Sequence, residues 1–151
     1  MSFPIGSGLT VSMRRLAAIA LLLAGTAAPA GAQAAGGTIA LELNDAGANA
    51  GACRLSFVIA NSQKAAIDDM ALELVLFDPD GRVERFVVVR SGKVPAGRSR
   101  VRQFDIPATS CDGIARVLIN DVKECAGEGL TPAACGDRIE VGSRTKIRLD
   151  N

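Results

Sequence analysis

Short runs of alternating apolar and polar residues, each bounded by turn-forming residues, constrain this chain more than any other feature. Ile39, Leu41 and Leu43 alternate with Ala40, Glu42 and Asn44. Cys53, Leu55, Phe57 and Ile59 alternate with Arg54, Ser56 and Val58. A period of two puts one set on a buried face and the other outward, the pattern of a β-strand. Leu72, Leu74 and Leu76 mark a third strand, and Asp78-Pro79-Asp80-Gly81 is a turn with proline at its second position. Val83 to Arg90 returns antiparallel, and Val87-Val88-Val89, apolar on both faces, predicts cover on both sides. Pro95-Ala96-Gly97 turns the chain into a fifth strand, Arg98 to Ile106, which Pro107 stops. Ile114 to Val122 reads as a sixth strand and Lys146 to Leu149 as the last. Asn44 to Ala52 reads as a loop, and Thr131-Pro132-Ala133-Ala134 as one helical turn capped by threonine. No long segment has helical periodicity, and there is no internal repeat. The expectation is an all-β fold: an immunoglobulin-like sandwich of about seven antiparallel strands, stabilised by disulfides, in one domain over residues 35–151.

The strand directions bear on the cysteines. Cys53, Cys111, Cys125 and Cys135 are the four present. An even count in a small exported domain reads as disulfides. A zinc site would want close cysteine pairs or a histidine, and neither exists. Strands that alternate direction leave the second and sixth parallel. Cys53 opens the second and Cys111 precedes the sixth, so both fall near one end of the sandwich. Cys125 and Cys135 bound a short loop that closes locally. The expected pairs are Cys53–Cys111 and Cys125–Cys135.

Export is read from the N-terminus. Met13-Arg14-Arg15 precedes the apolar run Leu16 to Ala24, and small residues with one proline follow to Ala34. This is the layout of a secretory signal peptide, expected to span residues 1–34, with cleavage after Ala34 and with Met13 as a candidate start. The apolar run is about half the roughly twenty residues that a spanning helix needs. Leu16-Ala17-Ala18 after the arginines fits the general Sec route better than the twin-arginine route, and no cysteine sits at the cleavage point for lipidation. Removing Arg14 and Arg15 from the 17 basic residues leaves 15 against 16 acidic ones. So balanced a mature chain has no long-range attraction for nucleic acid or anionic lipid. The expected location is the periplasm, with no membrane insertion after cleavage.

Absent residue types narrow the chemistry. Without histidine there is no Ser-His-Asp or Cys-His machinery, and without tryptophan or tyrosine the usual stacking platforms are missing. No glycine-rich phosphate loop is present. The Asp78 turn lacks the third oxygen ligand and distal glutamate of a calcium loop, and Val87 stands at that glutamate position. Asp68 and Asp69, adjacent in sequence, point to opposite faces if extended. No catalytic residue, cofactor or metal ligand is therefore assigned. Arg98, Arg100 and Arg102 share one face of a strand, and Arg82, Arg85 and Arg90 lie on the preceding strand and its turn. They are read either as a basic patch for an acidic partner or as solvated charges meeting Glu73, Glu84 and Asp105 across strands. Leu130, the apolar tip of the Cys125–Cys135 loop, completes the candidate interaction surface. The expected function is a non-enzymatic periplasmic interaction module, an accessory part of an envelope complex. The alternative is a periplasmic binding protein for a small anion or metal ion.

The run Val101-Arg102-Gln103-Phe104-Asp105-Ile106-Pro107, then Cys111, Arg116 to Asp121, Cys125 and Gly129-Leu130-Thr131-Pro132-Ala133-Ala134-Cys135, resembles a family of small exported proteins of Gram-negative bacteria, labelled hypothetical or Tat-signal-containing. The resemblance spans about Ile39 to Arg144. It implies a periplasmic protein with stable cysteine spacing, and it supplies no activity.

Overall fold

A computed structural model describes residues 36–151. The expected signal peptide and the start at Met13 lie outside the described residues.

The first strand, β1 (Ile39–Asn49), is longer than its alternating segment. Ile39, Leu41 and Leu43 point inward and are buried. Beyond them the ladder to β2 (Ala52–Asn61) slips at Leu43/Asp45 and continues, with Ala46 opposite Leu55 and Asn49 opposite Ala52. The expected loop at Asn44–Ala52 is thus mostly strand. A two-residue turn, Ala50-Gly51, closes the hairpin with φ of 45° and 81°. Two positive φ values give a type I′ turn, whose twist matches the flanking strands. Small residues there looked loop-like, but backbone pairing needs no large side chain.

Next come β3 (Asp69–Phe77), β4 (Val83–Arg90), β5 (Arg98–Pro107), a 3₁₀ turn at Cys111–Gly113, β6 (Arg116–Ala126), α1 (Pro132–Gly136), β7 (Ile139–Ser143) and β8 (Arg148–Asp150). They form two four-stranded sheets, ordered β5-β2-β1-β7 and β4-β3-β6-β8. The fold is an all-β sandwich. Two features depart from seven antiparallel strands: the described residues hold eight, and β7 on β1 and β8 on β6 pair parallel. The last two strands lie in different sheets, so the C-terminal segment ties the two layers together.

Between the sheets, Leu41, Leu43, Leu55, Phe57 and Ile59 belong to the same buried cluster as Leu72, Leu74, Leu76, Val117 and Ile119. Each such side chain contributes about 1.5–3 kcal/mol through removal from water. The Phe57 and Phe104 rings lie 6.0 Å apart and tilted. The β4 valines need correction. β4 is an edge strand whose outer face no other described residue covers: Val89 is buried, while Phe86 and Val88 are 60% and 58% exposed.

Both disulfides pair as expected. Cys53 on β2 joins Cys111 with Cα atoms 4.9 Å apart, and Cys125 on β6 joins Cys135 on α1 at 6.5 Å. Cys53 stands opposite Ile106 on β5, and the chain folds back just past Pro107 to bring Cys111 within reach. Two structural disulfides indicate a protein of an oxidising, non-cytoplasmic compartment. No helix among the described residues is long and apolar enough to cross a membrane.

Candidate interaction surface

Among the described residues β5 pairs with β2 alone, so its other edge faces outward along the flank of the sandwich. Register places its arginines. Phe104 stands opposite Leu55, Arg102 opposite Phe57, Arg100 opposite Ile59 and Arg98 opposite Asn61. All four β2 partners are buried. The three arginines therefore continue the core-facing side of β5, not the solvent face of the sheet. They reach water because an edge strand's inner side opens laterally between the layers.

Two guanidiniums bridge the layers at that opening. Arg102 donates from Nε to the Ser91 carbonyl and from a terminal nitrogen to the Lys93 carbonyl (3.3 Å). Arg85 on β4 donates to the Pro107 carbonyl at 2.7 Å. Together they link the two ends of the β4 and β5 edges across the gap. Among the described residues Arg100 bonds only to the carbonyl of its neighbour Ser99. Arg98 stands exposed at the start of the strand.

Of the three carboxylates expected as partners, Asp105 and Glu73 are engaged elsewhere, and Glu84 stands exposed on β4. Asp105 is on the outer face and takes two bonds from Arg54, at 2.7 and 2.9 Å, plus one from Asn49. The hydrogen bonds from Arg54, opposed by partial burial, hold the Asp105 carboxyl below its usual range. Glu73 meets Lys123 and Asn120. Arg90 joins Asp69 and Glu124, and these contacts raise its own pKa. Arg82 lies 3.6 Å from Asp80. None of the ion pairs among the described residues includes Arg85, Arg98, Arg100 or Arg102. The cross-strand pairing expected of the β5 arginines is therefore absent among these residues, and their charge is left uncompensated.

Other candidates are bound up in local structure. Asp68 faces Lys93, whereas Asp69 also accepts from the Gly92 and Met70 amides. The Asp78 carboxylate accepts from the Arg82 amide, and Gly81, at φ 79°, completes that turn. Among the described residues, no group of three or more Cys, Asp or Glu is placed to hold a metal. Leu130 is not a free tip. It is half-buried against the core and lines a groove with Gln63, Lys64 and Arg138. Thr131 caps α1 as its sequence suggests, accepting from the Ala134 amide at 3.1 Å.

Sequence reasoning missed one patch. Val83, Phe86 and Val88 are exposed on β4, and Val101 is 60% exposed on the outer face of β5. The available signal was the even spacing of Phe86 and Val88, which places both on one face.

No family model matches the chain, and no curated protein matches it. A solved structure of IrmA from Escherichia coli is similar in fold: TM-score 0.53 and 12% identity, covering 69% of this chain and 90% of that one. At that identity the likeness shows a shared fold alone.

Proposed function

We propose that this protein is a non-enzymatic interaction module of the periplasm, exported by a cleaved Sec-type signal peptide and serving as an accessory part of an envelope complex. The observation that carries the reading is the row Arg98, Arg100 and Arg102 on an open strand edge, with no carboxylate partner among the described residues. The two disulfides support an oxidising compartment, and the residues before Ala35 support export. The resemblance to small exported Gram-negative proteins points the same way. The absence of histidine from the whole sequence supports a non-enzymatic role.

The test is expression of the full chain in a Gram-negative host. N-terminal sequencing of the recovered protein is expected to begin at Ala35. In-cell cross-linking followed by denaturing purification is expected to retain a discrete envelope protein. Recovery of uncleaved chain from the cytosol, or no cross-linked species, would overturn the reading.

The same guanidiniums favour a second reading, a receptor for a small anion. Thermal shift separates the two. A bound anion stabilises by mass action, whereas an interaction module gives a flat response across phosphate, sulfate and carboxylates.

A further inference from the structure

Resting on the interaction-module reading, we propose that β5 receives an extended acidic segment of another polypeptide as an added strand, whose alternate carboxylates meet Arg98, Arg100 and Arg102.

The four sheet edges are unequal. β7 and β8 have five and three residues, too short for extended pairing. The β3–β4 ladder shifts register at Leu76/Phe77, so a bulge disturbs the β4 edge. β5 has ten residues and pairs with β2 without a register shift. It is the long, regular edge, and its residues from Arg98 to Val101 are all exposed. Strand addition draws affinity from main-chain hydrogen bonds and specificity from alternate side chains.

Charge decides the occupant. Side chains two apart on one face of a strand are about 7 Å apart, so the arginine row has the pitch of alternate residues on an incoming strand. A second copy of β5 does not fit. Antiparallel pairing about Arg100 would set Arg98 against Arg102 and Arg100 against its own equivalent, all like charges. The chain's own leader does not fit either, because no Asp or Glu precedes Glu42. Inward-pointing charges at an edge also deter apolar strands. The one row therefore excludes apolar and basic segments and admits an acidic one. Arg102 is already oriented by the Ser91 and Lys93 carbonyls, so less of its freedom is lost on binding.

The probe is a fluorescent octapeptide of alternating valine and glutamate, titrated into the full secreted protein at low salt. Its valine–lysine counterpart and an isomer with all glutamates in one block serve as controls. Saturable binding of the alternating peptide is expected, with amide-exchange protection on β5. Arg98→Ser/Arg100→Ser is expected to weaken it about tenfold. Among the described residues neither side chain bonds beyond its own strand, so the urea midpoint should not move. Arg98→Glu/Arg100→Glu should transfer preference to the valine–lysine peptide. No binding, equal binding of the block isomer, or protection on β4 would overturn the proposal. If the cross-linked envelope partner persists on Arg98→Ser/Arg100→Ser, this assignment falls while the interaction-module reading stands. If wild-type protein yields no partner but binds the peptide, the reverse holds.

Discussion

The two disulfides close loops of very different length, which makes their stabilities separable. Cys53–Cys111 spans 58 residues and Cys125–Cys135 spans 10. Loop-closure entropy gives about 4.2 kcal/mol for the first and about 2.7 kcal/mol for the second at 25 °C. Packing opposes that difference. Cys125 and Cys135 are both buried, whereas Cys53 is buried and Cys111 only partly so, and removing the short-loop pair leaves the larger void. The chain-entropy difference of about 1.5 kcal/mol is therefore an upper value for the gap between the variants.

The variants are Cys53→Ala/Cys111→Ala and Cys125→Ala/Cys135→Ala, each unfolded in urea and followed by circular dichroism. At a slope of about 1.5 kcal/mol/M, their midpoints should differ by up to about 1 M, the long-loop variant lower. A domain of this size has only about 5–15 kcal/mol in total, so that variant should sit near its folding threshold at 37 °C. The reasoning fails if the short-loop variant is equally or more destabilised. That result would mean Cys125–Cys135 acts in the native state, by holding α1 against β6, and not through the unfolded chain.

Thr131→Ala removes the cap on α1 and should cost about 1 kcal/mol in the same urea assay, with exchange rising first at the Ala134 amide. Arg102→Met deletes the bonds to Ser91 and Lys93, and should cost about 1–2 kcal/mol while loosening the β4–β5 connection in amide exchange. Arg54→Met should raise the Asp105 pKa toward its unfolded value by NMR titration. Because the folded value is depressed, the stability of this contact is full above the unfolded carboxylate range and is lost as pH falls through the folded value. The variant should therefore lose part of the wild type's acid-side pH dependence and none at neutral to basic pH.

Which parts of the fold were readable follows from where information sits in a β protein. Alternation is local, so the strands with one apolar face, such as Cys53–Ile59 and Leu72–Leu76, stood out in the residues themselves. Strand direction also follows from counting turns, and it was enough to pair Cys53 with Cys111. Position within a sheet is not local. Val87-Val88-Val89 has the same composition in a covered central strand as on an edge, and only the order β4-β3-β6-β8 shows that Val88 faces water. β7 was missed because its five residues of mixed polarity, a glycine among them, are too few to show a clear alternation, and its parallel pairing to β1 is non-local.

The arginine row shows the same limit at the candidate site. Its alternation was visible, but its partners depended on which strand lies beside β5. Sequence order puts β4 next, and a meander would have set Arg98, Arg100 and Arg102 against β4 and its neighbours. Instead β5 crosses to the other sheet and pairs with β2. That crossing gives Asp105 to Arg54 at the opposite position of β2. It also turns the row toward the gap between the layers. A charge pattern read along a strand is therefore a statement about one face; whether that face meets a carboxylate, the core or solvent is decided by a non-local pairing. Here that pairing leaves a regular, positively charged edge, a surface suited to holding an acidic strand in register.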